Sequence, residues 1–158
     1  YKLSRGIIVT KLLEAENVKE FLDGFDFYGI EPFTIVLFDY QDKPELLQIV
    51  WDEEQLHVKS LELKARIWSS SPLYTPEMHQ LREDWFAEFL EENKLVRPSD
   101  LWQFHHEAGN GDREVSLQIE RGYVRTKSIT QLSLSPMGIE VTYHDLEAGE
   151  TQANILTF

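Results

Sequence analysis

The feature of the sequence that most constrains the fold is an amphipathic segment that begins at Thr75 and ends near Asn93. Thr75 can accept a hydrogen bond from a free backbone N–H group, and Pro76 suits the first position of a helix. The spacing of the apolar residues that follow predicts a helix with one apolar stripe, which we expect to lie on a sheet with its acidic side in water. The stripe consists of Met78, Leu81, Trp85, Phe86, Phe89 and Leu90.

Short apolar or alternating segments on both sides of this helix predict two antiparallel sheets. Upstream, residues 33–38 are apolar on both faces, as in a fully buried central strand. A polar turn at 39–44 separates this strand from the next one. Three more strands at 46–51, 56–61 and 66–69 complete a four-stranded meander. Downstream, a second meander is predicted from strands at 124–134, 139–145 and 151–158.

Three further helices are predicted. Two short ones cover residues 4–13 and 15–23, and Gly24 is expected to close the second in a left-handed conformation. Another follows a cap near Asp100 and ends near Gly109. The alternation at 115–119 indicates a strand or an extended lead-in. No linker, repeat or low-complexity tract divides this order of helices, sheet, helices, sheet, so we predict an α+β fold in a single domain, residues 1–158.

Composition and charge narrow the function. A formal net charge of −13 repels phosphate backbones and anionic lipid heads, which argues against a nucleic-acid or membrane-surface role. The sequence has no run of about 18 apolar residues, so no membrane-inserted helix is predicted. The absence of cysteine excludes disulfides and thiol nucleophiles from these residues and fits a reducing compartment, so a cytoplasmic location is predicted.

The chain begins at Tyr1 with neither an initiator Met nor a signal sequence. We therefore expect that an amino-terminal segment, or a second chain, belongs with these residues as a partner.

Polar residues that carry chemistry fall into three groups. The five histidines lack the spacing of a zinc motif, and solvated or capping roles are favoured for them. A haem-ligand role for His105 or His106 has no specific support. Ser69 and Ser70 lie in a serine run that ends at Ser71-Pro72, between a predicted strand end and the helix start, where a hydroxyl nucleophile is conceivable. No Gly-x-Ser-x-Gly elbow accompanies them, so loop hydrogen bonding is favoured. Accordingly, no metal, cofactor or complete catalytic set is predicted in this chain.

The third group is a basic and hydroxyl-bearing strand. Alternation places Thr126, Ser128 and Thr130 on one face, and Arg125 and Lys127 on the other. Such a strand can line a polar cleft that binds a carboxylate or a phosphate. A solvated basic face is the alternative, and the residues alone favour it.

A combination of short motifs resembles a known family. The motifs are Ser4-Arg5-Gly6 at a helix start, Trp51-Asp52 at a strand turn, Ser70 three residues before Leu73-Tyr74, and Thr126-Lys127-Ser128-Ile129-Thr130. In this order they resemble the carboxy-terminal two thirds of the NRDE family, also called the transport and Golgi organisation 2 family. That family usually has Thr-Arg-Ser-Ser-Thr in the last motif, and Lys127 keeps the charge there without the planar fork of arginine.

The resemblance implies an Ntn-hydrolase-like four-layer αββα sandwich, with two antiparallel sheets between two helical layers and part of the sandwich outside this chain. It implies an amide hydrolase whose nucleophile, a cysteine exposed by removal of Met, lies upstream of Tyr1. Candidate cleft or binding residues are Ser4, Arg5, Ser69, Ser70, Arg125, Thr126, Lys127, Ser128 and Thr130.

Two other functions remain open. The family's eukaryotic members imply a non-catalytic ligand-binding or carrier protein that handles haem, lipid or acyl groups in secretory organisation. A structural fragment whose open sheet edges pair with another chain is the third possibility. Under any of these, a small-molecule ligand is a possible partner. We also expect the 158 residues to expose an apolar sheet surface, because strands upstream of Tyr1 are expected to complete the sheets.

Overall fold

A computed structural model of the chain describes residues 4–40, 43–70 and 73–157. The first three residues, Gln41 and Asp42 of the predicted turn, Ser71-Pro72 of the serine run, and the predicted strand end Phe158 lie outside the described residues. Four helices and three antiparallel sheets confirm the α+β class among the residues described. The chain forms two compact units, Tyr1–Ala65 and Arg66–Phe158.

Two helices open the first unit, α1 (Gly6–Glu14) and α2 (Val18–Gly24). Asn17 is the N-cap of α2, because its side-chain oxygen accepts hydrogen bonds from the backbone N–H groups of Lys19 and Glu20. The left-handed closure expected at Gly24 is wrong, since Gly24 is the last helical residue and the extended conformation of Phe25 ends the helix.

The sheet of the first unit has three strands in the order β1 (Phe33–Asp39), β2 (Glu45–Trp51) and β3 (Leu56–Leu61). The prediction that β1 is a central strand buried on both faces is wrong, because β1 is an edge strand with alternating burial. The fourth strand predicted at 66–69 is also wrong. Residues 66–69 have no regular secondary structure and belong to the start of the second unit.

The core of the first unit lies between the two helices and one face of this sheet. Ile8 and Ile49 are completely buried, and Ile30 is almost so. The indole N–H of Trp51 donates a hydrogen bond of 3.1 Å to the Ile30 carbonyl, which satisfies the polar atom of a buried ring. The core cluster consists of Ile8, Leu12, Leu22, Phe27, Ile30, Phe33, Leu47, Ile49 and Trp51.

The second unit begins with α3 (Pro76–Glu92) and α4 (Pro98–Glu107). Thr75 caps α3 and Pro76 occupies its first turn, as predicted. Phe86 is buried, and its ring centroid lies 5.5 Å from that of Phe104 on α4. The apolar face of α3 therefore packs against a helix here, where we expected a sheet. Leu81 is 38% exposed, whereas Arg82 is 4% exposed.

The second unit also holds a two-stranded ribbon, β4 (Glu120–Arg121) with β5 (Val124–Arg125), and a three-stranded sheet. The three strands are β6 (Ser128–Ser135), β7 (Gly138–Asp145) and β8 (Glu150–Leu156), in that order. The second meander is therefore confirmed, but the strand predicted at 124–134 is two separate strands. Residues 113–118 form turns and bends, so the strand or extended lead-in predicted at 115–119 is wrong.

Each three-stranded sheet has one face against helices and one uncovered face with apolar residues. In the first unit the uncovered face carries Val36 and Phe38, which are 37% and 45% exposed. In the second unit Leu132, Leu134 and Leu156 share a face by register and alternation, and all three are exposed. The expected apolar sheet surface is therefore present.

Candidate functional site

Two of the predicted site residues, Arg125 and Lys127, come together at the junction between the ribbon and the second sheet. Arg125 and Lys127 both form ion pairs with Glu147, which follows β7, and the Lys127 ammonium lies 3.4 Å from the carboxylate. Glu147 is placed by the turn after β7, where Asp145 accepts hydrogen bonds from the backbone N–H groups of Glu147 and Ala148. The basic strand therefore meets a carboxylate, while Arg125 and Lys127 both remain exposed to solvent.

A cleft of about 550 Å³ opens beside this junction. Its lining is more polar than apolar and combines side chains of both charge signs. The lining residues are His106, Ala108, Gly111, Arg113, Ser116, Gln118, Ile119, Glu120, Arg125, Thr126, Leu146 and Glu147.

Two ion pairs dominate the electrostatics of the cleft, Arg113 with Glu120 and Arg125 with Glu147. All four side chains are between 42% and 72% exposed, so water screens each pair and its net contribution to stability is small. Pairs of this kind exchange partners readily. The guanidinium groups can turn to a ligand carboxylate, and the carboxylates can turn to a ligand amine.

The predicted row of hydroxyl groups is only partly present. Thr126 precedes β6, and its hydroxyl accepts a hydrogen bond from the Ile119 N–H and donates one to the Leu117 carbonyl. That hydroxyl shapes the cleft wall and is not free for a ligand. Ser128 and Thr130 share one face of β6, opposite Asp145 and Tyr143 on β7.

Ser69 contacts a buried cation that the sequence reading missed. The guanidinium of Arg82 donates to the Val115 carbonyl at 3.0 Å, the Ser116 carbonyl at 2.5 Å and the Ser69 hydroxyl at 3.2 Å. Its carbon atom also lies 3.6 Å from the centre of the Tyr74 ring, a cation–π distance. Arg82 therefore fixes the serine loop and the irregular segment before the ribbon.

The remaining predicted residues have local roles. The Ser4 hydroxyl accepts a hydrogen bond from the Gly6 N–H, and Arg5 precedes α1 with its carbonyl accepting from Ile8. The Ser70 carbonyl accepts from the Leu73 N–H, which turns the chain toward α3. Ser4 and Arg5 belong to the first unit, whereas the other predicted site residues belong to the second.

A pair of histidines forms the second arrangement that the sequence did not predict. His106 Nε2 lies 3.0 Å from His144 Nδ1, and His106 Nδ1 lies 2.8 Å from the Trp102 carbonyl. The Trp102 ring lies nearly parallel to that of His144, with centroids 6.1 Å apart. The sequence gives one signal for this arrangement, the spacing of four between Trp102 and His106, which places both on one face of a helix. The contact of His106 with His144, 38 residues later on a strand, has no local sequence signal.

Two carboxylates, Asp52 and Asp100, have strongly lowered pKa values. The pKa of Asp100 falls from 3.8 to about 2, because the Arg97 guanidinium and then the Arg97 backbone N–H donate to the carboxylate. The pKa of Asp52 also falls from 3.8 to about 2, chiefly through the Gln55 N–H and then through His57. Asp100 lies in the first turn of α4, where it accepts from the backbone N–H of Arg97, and Asp52 lies in the turn between β2 and β3, so both are local structural groups.

Across residues 4–40, 43–70 and 73–157, no three carboxylate or imidazole side chains lie close enough together to hold a metal ion. Over the same ranges, no helix is both long and apolar enough to cross a membrane. Comparisons with protein-family models, with curated proteins and with solved structures found nothing that matches this chain.

Proposed function

We propose that this chain provides the substrate-binding part of an Ntn-type amide hydrolase of the NRDE kind. In this proposal the nucleophile comes from polypeptide upstream of Tyr1, and the αββα sandwich implied by the resemblance is the working fold. The substrate is a small amide or peptide-like molecule that carries charged groups. The observation that carries the proposal is the cleft in which Thr126, the first residue of the family-like motif, and Arg125 just before it meet Arg113, Glu120 and Glu147.

The two sheets support the fold part of the proposal. An αββα sandwich requires that each sheet have helices on one face and apolar side chains on the other. The first sheet has α1 and α2 against its inner face, with Phe38 uncovered on the other. The second has α4 beside β6, where the Gln131 side chain donates to the Pro98 carbonyl at 2.8 Å, and Leu134 is uncovered on the opposite face.

The chemistry of the cleft supports the substrate class. Two guanidinium groups and two carboxylates, each in an exchangeable pair, suit a molecule with a carboxylate at one end and an amine or amide N–H near it. Lipid or acyl chains require a predominantly apolar lining. This cleft therefore favours a polar amide over the lipid-carrier alternative.

The decisive experiment uses the complete polypeptide encoded by the reading frame around this chain. We expect an Asn-Arg-Asp-Glu segment and a cysteine exposed by removal of Met. Replacement of that cysteine by alanine should abolish release of amine from N-acyl amino acids while ligand binding persists. Ligand binding with no turnover in the unaltered polypeptide would instead support the carrier function.

The cleft can be tested in the 158-residue chain itself. N-acetylglycine, titrated in an NMR experiment, should shift amide signals of residues 113–126. Arg125→Gln should weaken that binding by roughly 10-fold, the effect of one lost charge-assisted pair. Lys127→Gln is the matched control, because it removes a cation that also pairs with Glu147 but does not line the cleft. Equal effects of the two variants would contradict a site in this cleft.

A further inference from the structure

With both rings neutral, the contacts of His106 with His144 and with the Trp102 carbonyl determine which ring nitrogens carry protons. The Trp102 carbonyl can only accept a hydrogen bond, so His106 Nδ1 must carry a proton. With His106 neutral, its Nε2 is then an acceptor, and His144 Nδ1 must donate to it across 3.0 Å. With both rings neutral, the single remaining lone pair of the two imidazoles is on His144 Nε2.

The surroundings of His144 make that lone pair available to a ligand. His144 lines a second cleft, of about 630 Å³, that lies along α4 and the helix-facing side of the second sheet. Its Nε2 atom has no hydrogen-bond partner among the described residues. The buried side-chain atoms that lack a partner in those residues are Arg66 Nε and Arg121 Nε, so His144 Nε2 is not among the atoms closed off from solvent. The indole of Trp102 and the hydroxyls of Ser133 and Thr142 line the same cleft.

We propose that His144 is a nucleophilic imidazole, activated by His106, that hydrolyses activated acyl esters in this second cleft. The site needs only residues of this chain and is independent of the amide hydrolase proposed above. The geometry matches the general arrangement of a nucleophile, an adjacent base and a group that orients the base. Here His144 is the nucleophile, His106 is the base, and the Trp102 carbonyl orients His106.

The reaction balances with these groups. His144 Nε2 forms a bond to the acyl carbon while the bond from that carbon to the leaving oxygen breaks, and the leaving group departs as a phenolate. The Nδ1 proton of the acylated ring moves to His106 Nε2, so a neutral acyl-imidazole remains. Water then cleaves the acyl–nitrogen bond and releases the acid, and the proton returns to His144 Nδ1. Hydroxyl donors such as Ser133 and Thr142 suit the oxyanion.

The test is the hydrolysis of p-nitrophenyl acetate by the 158-residue chain. We expect a rate that saturates with substrate concentration. It should fall by roughly 100-fold in His144→Ala, because 100-fold is the lower end of the rate enhancement that a positioned catalytic side chain supplies. His106→Leu should lower the rate strongly, whereas His106→Gln should retain a large part of it, because the glutamine oxygen can accept from His144 Nδ1. His57→Gln is the matched control, since His57 also has a ring partner, Asp52 at 2.7 Å, but lies outside this cleft.

A second measurement does not depend on any variant. The nitrogen NMR signals of the unaltered chain should show His144 protonated on Nδ1 and unprotonated on Nε2 at neutral pH. A His144 ring protonated on Nε2 and not on Nδ1 overturns the proposal, and so does hydrolysis that responds equally to His144→Ala and His57→Gln. Loss of the upstream cysteine should leave this activity unchanged, which separates it from the amide hydrolase.

Discussion

The two units join helices to a sheet in different ways. In the first, α1 and α2 meet the sheet through apolar side chains, with Ile8 and Ile49 completely buried. In the second, α4 and the sheet share polar and aromatic contacts, which include His106 with His144 and the Gln131 amide with the Pro98 carbonyl. The first junction is held by the removal of apolar surface from water, and the second by a few directed hydrogen bonds. Apolar burial tolerates small shifts, whereas the directed contacts fix the position of particular atoms, and the candidate chemistry lies beside them.

The largest effect is expected from Ile49→Ala in the first unit. Deleting most of a fully buried side chain leaves a cavity, and the free energy of unfolding should fall by about 2–5 kcal/mol. Urea denaturation followed by hydrogen exchange of the β2 amides measures this. Val36→Ala is the matched control, because Val36 is 37% exposed on the other face of the same sheet. Equal losses from the two variants would refute an apolar junction.

Arg82→Met should have the next largest effect. It keeps much of the buried stem but leaves the Val115 and Ser116 carbonyls without their donors, which should cost about 2–3 kcal/mol. Arg82→Lys should recover only part of this loss, since an ammonium lacks the fork that reaches both carbonyls. Thermal unfolding of both variants, with Arg97→Met as an exposed control, tests whether the guanidinium organises this unit.

Gln131→Ala should have a smaller effect, about 1 kcal/mol, because it removes one side-chain hydrogen bond to the Pro98 carbonyl. Amide exchange at the start of α4 should become faster. Thr130→Ala, on the opposite face of β6, should leave that exchange unchanged. If Gln131→Ala lowered the free energy of unfolding as much as Ile49→Ala does, the proposed contrast between the two helix–sheet junctions would be wrong.

Acidification should lower the stability of the two units to a similar extent, so it gives the smallest difference between them that we expect. The folded pKa values of Asp52 and Asp100 are both about 2, below 3.8. A lowered folded pKa gives stability that is fully present above about pH 4 and is lost as the pH falls toward 2. Asp52→Asn and Asp100→Asn should each flatten the pH dependence of unfolding in this window. A rise in stability on acidification between pH 4 and pH 2 would contradict these assignments.

The sequence predicted the elements whose signals are local. Thr75 and Pro76 predicted the start of α3, and alternation predicted β3 and β7 close to their observed ends. The misses have long-range causes. The apolar run at 33–38 indicated a central strand, yet whether a strand is central depends on its neighbours, and β1 has one. Residues 66–69 have a suitable composition but no strand to pair with.

The candidate site was predicted in part for the same reason. Arg125, Thr126 and Lys127 are consecutive and can be found from the sequence, but Glu147, which pairs with Arg125 and Lys127, follows β7 and is reached only through the sheet register. Arg82 was overlooked because a charged residue within an apolar stripe looks solvated. The spacing of four from both Met78 and Phe86 places Arg82 on their face of the helix and indicates that it is buried. Leu81, which the spacing also places in the apolar stripe, is exposed.

The buried guanidinium of Arg82 has a consequence for how the second unit can be altered by substitution. One planar group donates hydrogen bonds to Ser69, Val115 and Ser116, which lie 13, 33 and 34 residues away along the chain. Any redesign of this unit should therefore keep arginine at position 82, because exchanging that single side chain releases three distant points of the backbone path at once.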